Sequence, residues 1–112
     1  MRLLTKQEEL FLLTILRIKK DAYLVNIREH ILKHTGKDWA FGSIYMTVEK
    51  LRKDGLVQTY HGEPSPERGG KAIKYYRLNS EGFKALKESK KVIDEMWKDF
   101  AEYEKGVDVS YE

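Results

Sequence analysis

"FGSIYMTVEKLRKDGLV", residues 41–57, is the stretch whose reading decides the fold. Ile44, Val48 and Leu51 recur at the spacing that stacks side chains on one side of an α-helix. Gly42 opens the segment and Gly55 closes it, so a helix is predicted over about 42–54. With its apolar residues turned inward, Ser43, Met46, Lys50 and Lys53 face outward, with Glu49 beside them. A charged helix face is usually no more than a solvated surface. The segments on either side decide whether this one is held out towards an anion.

Towards the C-terminus, "LVQTYHGE" (56–63) and "AIKYYRL" (72–78) are rich in Val, Ile, Thr and Tyr and predict two strands. "PSPERGGK" (64–71) between them, with its prolines and paired glycines, predicts an exposed hairpin tip. Asn79 or Ser80 can cap a long last helix running to about residue 104. Its apolar stripe is Phe83, Leu86, Ile93, Trp97 and Phe100, flanked by Met96 and Tyr103. Towards the N-terminus, Thr5 and Glu8 form a capping box for a helix over about 5–20. Leu10, Phe11, Leu12, Leu13, Ile15, Leu16 and Ile18 leave that helix only a narrow polar sector at Thr14 and Arg17. A helix apolar on most sides needs cover on most sides. Asp21 can cap a second helix, about 22–35, with core positions Leu24, Ile27 and Ile31 and a stop at Gly36. "KDWAF" is too short for more than a turn or a bridge of strand.

Three helices, a strand, a basic hairpin, a second strand and a long helix make a mainly α chain with a β-hairpin wing. This is the winged helix-turn-helix order, in which the third helix enters a DNA major groove. Residues 1–78 are the expected DNA-binding domain, 79–105 a dimerisation helix, and 106–112 a disordered tail.

The whole chain narrows the function classes. Its 112 residues make one domain with a modest core. No apolar run approaches the roughly 18 residues of a membrane span, and no signal-peptide pattern opens the chain, so a cytoplasmic protein is expected. The absence of cysteine excludes disulfides, thiolate metal sites and cysteine nucleophiles. The net charge of +3 is concentrated in residues 42–78, with seven Lys/Arg against four Asp/Glu, whereas residues 94–112 hold seven acids and two lysines. A basic middle and an acidic end suit an anionic partner that touches only the middle.

Two motifs carry a family likeness. "GSIYMTVEKLRKDGLV" (42–57) and "GGKAIKYYRLNSEG" (69–82) resemble the recognition helix and the wing of the PadR family of winged-helix transcriptional regulators. The likeness is greatest to its short members, which have a single C-terminal helix, and it spans roughly residues 5–104. Met46 stands where the family often has Pro, Asn79 where it has Thr, and Asn26 where it has Gly. Lys71-Ala72-Ile73-Lys74 replaces a denser run of arginine.

The expected DNA-binding residues are Ser43, Tyr45, Met46, Lys50 and Lys53 on the helix, with Arg68, Lys71 and Lys74 in the wing. The resemblance implies that the Tyr45 hydroxyl reaches a phosphate. Leu12, Leu16, Leu86, Ile93, Met96, Trp97 and Phe100 are expected to join two copies into a homodimer. Some multidrug-binding members of the family use a tryptophan on the last helix to bind ligand, about one turn nearer the wing. The resemblance thus implies an effector site at Trp97, Ile93 and Phe100, and Asp94, Glu95 and Asp99 would favour small aromatic or cationic ligands. His30 and His34 have metal-ligand spacing without a third ligand, so no metal is expected. No phosphate-binding loop, dinucleotide fingerprint or nucleophile elbow is present, so neither a cofactor nor catalysis is expected. The reading is a homodimeric, DNA-binding regulator, acting as a repressor relieved by an effector. The alternative is a winged-helix module for protein contacts in a larger assembly.

Overall fold

The structure is a computed structural model that describes residues 3–63 and 69–106. Helix α1 (Lys6–Ile18) starts at the expected capping box, with the Glu8 N–H donating to Thr5 Oγ1 at 3.1 Å and the Thr5 N–H to Glu8 Oε1 at 2.9 Å. A single 3₁₀ turn, Lys19–Asp21, follows, entered through Lys19 at φ 54°. Asp21 belongs to this turn and not to the cap of the next helix. Helix α2 (Leu24–Thr35) begins after Tyr23, which makes no side-chain cap bond, and Asn26 Nδ2 donates back to the Asp21 carbonyl at 3.0 Å. Gly36, at φ 75°, ends α2 in the left-handed conformation that glycine adopts without penalty.

Helix α3 spans Phe41–Lys53, one residue off the expected bounds at each end. The turn before it is pinned by Arg28, whose Nε donates to the Trp39 carbonyl at 3.0 Å while its guanidinium pairs with Asp38 at 2.7 Å. Trp39 in turn sets its ring edge-on to Phe11, with centroids 5.2 Å apart.

Strands β1 (Val57–His61) and β2 (Lys74–Leu78) pair antiparallel with Thr59 opposite Tyr76 and Tyr60 opposite Tyr75. The Tyr76 N–H donates to the Ala22 carbonyl at 2.8 Å, which ties the hairpin to the 3₁₀ turn. Tyr76 faces inward and is fully buried. On the other side of the sheet Tyr60 and Tyr75 stack at 5.3 Å. The hairpin tip at 64–68, including Arg68, lies outside the described residues.

The core collects Phe11, Leu12, Ile15, Ile27, Ile31, Ile44, Val48, Leu51, Val57 and Tyr76 from α1, α2, α3, β1 and β2. Thr14 lies on the inward side of α1 and is buried, while Leu13 and Leu16 are the exposed residues, so the polar sector expected at Thr14 is corrected. A helix apolar almost all round carries no phase of its own, and the contacts of its neighbours choose the phase. Leu12, expected to join two copies, is instead fully buried within the core of the chain.

Helix α4 (Ser80–Trp97) is capped by Asn79 Oδ1, which accepts from the Gly82 N–H at 3.0 Å, while Asn79 Nδ2 donates to the Gly55 carbonyl at 2.7 Å. Its first half lies on the body, where Ser89 is buried and its Oγ meets Glu9 Oε2 at 3.5 Å. The single helix expected to run to about 104 is instead two. After Trp97 the chain tightens, with the Lys98 N–H reaching only to the Glu95 carbonyl, and α5 (Phe100–Glu104) restarts beyond Asp99. The expected tail at 107–112 lies outside the described residues.

Two glycines give opposite expectations. A Cβ on Gly82 would stand 2.3 Å from the Leu56 carbonyl oxygen, which is backbone and cannot swing aside. Gly82→Ala should lower the unfolding free energy by about 1–3 kcal/mol. A Cβ on Gly42 meets nothing within 4 Å, and its backbone is helical. Gly42→Ala should raise stability by about 0.5–1 kcal/mol. Urea unfolding of both variants at constant m-value measures the two effects.

Candidate nucleic-acid interface

Helix α3 presents two faces of opposite character. Ile44, Val48 and Leu51 are each 0% exposed, whereas Met46 is 69% and Tyr45 44% exposed. The Lys50 side chain is 62% exposed, and Ser43 and Lys53 also lie on the surface. All five helix residues expected from the sequence are thus on the outer side of one rigid helix. The first turn of α1 runs beside them, where Gln7 Nε2 donates to Thr47 Oγ1 at 3.3 Å. Thr47 Oγ1 donates onward to the Ser43 carbonyl at 3.0 Å.

The wing joins this surface through Lys74. Its ammonium lies 5.8 Å from the Tyr45 ring centroid and 5.6 Å from that of Tyr76, and 3.1 Å from Glu49 Oε2. Lys71 is exposed on the return from the hairpin tip.

Two carboxylates in this surface were not singled out from the sequence. Glu49, with its side chain 12% exposed, also accepts from Arg52 Nε at 3.0 Å. Burial works against ionisation of Glu49, but hydrogen bonds from Lys74 and Arg52 and the charges of both outweigh it and hold the carboxyl below its ordinary range. Glu8, with its side chain only 5% exposed, brings Oε2 to 3.6 Å from Lys50 Nζ. Lys50 therefore points outward, as expected, but leans on the cap of α1. The Glu49–Arg52 spacing is visible in sequence as an i, i+3 pair. Nothing local marks Glu8 as a partner of Lys50.

The residues expected at an effector site do not converge within one subunit. Ile93 lines a groove between α1 and α4 together with Leu13, Leu16, Phe83 and Leu86. Trp97 lies beyond that groove and packs edge-to-face on Phe100 at 4.9 Å, each about half exposed. Of the other interface candidates, Leu16 and Met96 are exposed and Leu86 is half-buried. His30 and His34 stack at 4.1 Å. Burial first, then the neighbouring His34, Arg17 and Lys33, lowers the pKa of His30. Among the described residues no group of three or more candidate metal ligands comes together, and no helix is long and apolar enough to cross a membrane.

Residues 12–88 match the family described as "Transcriptional regulator PadR-like family". The chain belongs to this family. It is accordingly a transcription regulator and not an enzyme. The PadR-like fold recurs in solved structures. A transcriptional regulator from Clostridium thermocellum superimposes with a TM-score of 0.68 at 21% identity, over 86% of this chain and 90% of its own. A PadR family transcription regulator from Clostridium difficile gives a TM-score of 0.60 at 21% identity, over 84% and 96%. At such identities the likeness is one of winged-helix fold. No curated protein sequence matches the chain.

Under the surface of this PadR-like helix and wing, the Tyr76 hydroxyl is buried and finds no hydrogen-bond partner at ordinary geometry among the described residues. Burial, followed by the charge of nearby Glu49, pushes its pKa from 10.0 up to about 12. Such a phenol contributes its full stability below the unfolded value of 10.0 and loses it as pH rises towards about 12. The loss expected over that window is about 2–3 kcal/mol. Tyr76→Phe should flatten this part of the alkaline unfolding curve, followed by circular dichroism, and leave neutral-pH stability unchanged or raised.

Proposed function

We propose that this PadR-like regulator binds double-stranded DNA as a two-fold homodimer and represses transcription until a small effector releases it. The observation that carries the reading is the division of α3 into a fully buried apolar face and an exposed face bearing Ser43, Tyr45, Met46, Lys50 and Lys53. A helix so placed, beside a hairpin, can enter a major groove with its exposed side chains against phosphates and base edges. Ser43 lies in the first turn of α3, where hydroxyl and N–H groups suit phosphate. Lys71 and Lys74 extend the cationic surface along the wing, and Arg68 in the hairpin tip adds to it by sequence. Residues 1–78 serve as the DNA-binding unit and 79–105, which carry α4 and α5, as the dimerisation segment.

The dimer reading rests on apolar surface that one subunit leaves in water. Leu13 and Leu16 on α1 and Phe83 on α4 are all more than a third exposed around the α1–α4 groove. Met96, Trp97 and Phe100 continue the apolar surface along the last two helices. A two-fold axis covers such a patch with its own copy. The effector reading rests on Trp97 and Phe100, whose half-exposed rings stand among Asp94, Glu95 and Asp99. A flat cation gains from both the ring faces and the acids. It releases DNA only by binding more tightly to the dimer geometry that does not fit the site.

Three measurements test this. Duplex affinity should fall linearly with log salt, and Lys50→Ala should reduce that slope by about 0.9 if Lys50 meets one phosphate. Sedimentation at micromolar concentration should give a dimer. Leu16→Glu, at a site already exposed in the subunit, should give folded monomers with weakened duplex binding. Planar cationic dyes should quench the wild type more than Trp97→Phe, in which only Trp39 emits, and should lower duplex affinity. A wild type with no salt-dependent duplex binding would overturn the DNA reading.

A further inference from the structure

Two cations of the proposed DNA surface, Lys50 and Lys74, are held by carboxylates, and the way they are held suggests a purpose. Lys74 and Arg52 converge on Glu49 at 3.1 and 3.0 Å, and Lys50 lies 3.6 Å from Glu8. In both cases the anion is inside and the cation outside. Glu49 and Glu8 are 12% and 5% exposed, against 34%, 40% and 62% for Lys74, Arg52 and Lys50. Lys53 makes no ion pair among the described residues. Lys74 is further confined by the rings of Tyr45 and Tyr76.

We propose that Glu49 is a specificity-setting positioning residue, which holds Lys74 and Arg52 against the protein and so lowers affinity for duplex DNA of arbitrary sequence. The proposal rests on the DNA-binding reading above. A phosphate that approaches Lys74 must compete with a carboxylate already in hydrogen-bond contact and is repelled by it. Cations already neutralised release fewer counterions from DNA, and counterion release supplies most of non-specific affinity. The clamp also joins the recognition helix to the wing strand, since Glu49 lies on α3 and Lys74 on β2. A duplex whose groove accepts both elements in this fixed relation does not need to break it. Other duplexes would have to pull Lys74 or Arg52 away. Glu49 remains ionised well below neutral pH, because its two donors outweigh the effect of burial.

The test is salt-dependent binding of a mixed-sequence duplex and of a duplex selected by the wild type from a randomised pool. Glu49→Gln keeps the side chain's shape and removes its charge. It should steepen the log–log salt slope for the mixed-sequence duplex by about 0.9, the value for one further phosphate neutralised, and reduce discrimination in favour of the selected duplex. Glu102→Gln on α5 changes net charge equally and should leave the slope unaltered. A second comparison needs no change at Glu49. In the wild-type background Lys53→Gln should shallow the slope by about 0.9, and Lys74→Gln by less than half as much. In the Glu49→Gln background Lys74→Gln should show the full loss. Equal losses for Lys53→Gln and Lys74→Gln in the wild type, or an unchanged slope in a folded Glu49→Gln protein, would overturn the role of Glu49 and leave DNA binding standing. Wild type without salt-dependent duplex binding overturns both.

Discussion

Ile44, Val48 and Leu51 have to leave water together, and the rest of the molecule depends on how they do it. Each is fully buried, and each is worth about 1.5–3 kcal/mol on burial. Together they fix the rotation of α3 about its axis. Once that rotation is set, Tyr45, Met46 and Lys50 can only point outwards, whatever else is asked of them. The same core takes Phe11 and Ile15 from α1, Ile27 and Ile31 from α2, and Tyr76 from β2. Helix α3 and the wing are therefore fastened to one block of apolar side chains. A surface built from both can keep a constant shape because neither part can shift without opening that block.

What could be read in advance was what depends on neighbours in sequence. The capping box at Thr5, the period of α3, the glycine at the end of α2 and the two strand runs rich in Val, Ile, Thr and Tyr are all local signals, and each is found where expected. The misses share a physical cause. Helix α1 is apolar on almost every side, so its hydrophobic pattern does not say which side faces in, and the buried Thr14 and Leu12 look in sequence like outward positions. Asp21 is a good cap residue drawn into a 3₁₀ turn, because the Ala22 carbonyl is committed to Tyr76. The interruption after Trp97 has no proline or glycine to mark it. In the candidate site the cations were visible but their partners were not, since Glu49 reaches Lys74 across 25 residues. Burial of a carboxylate beneath a lysine is a property of packing, and periodicity carries no trace of it.

Those partners change what the charge pattern means. A count of Lys and Arg around α3 and the wing describes an anion-binding surface, while the structure describes ion pairs whose negative members are the more buried. An ion pair of this kind contributes little to stability when exposed, and the desolvation of its carboxylate is a cost when it is not. That cost falls on Glu49, whose side chain is only 12% exposed, while its ion pairs reach the surface. Stability is therefore a poor reason for a glutamate there. Geometry is a better one, because a carboxylate with two donors in fixed positions holds Lys74 of the wing to α3 in a way that a neutral side chain would not. Glu49 on α3 and Glu8 on α1, both largely buried beneath lysines, depart from the neutral burial of the apolar core, and such departures are expected where function sets the residue.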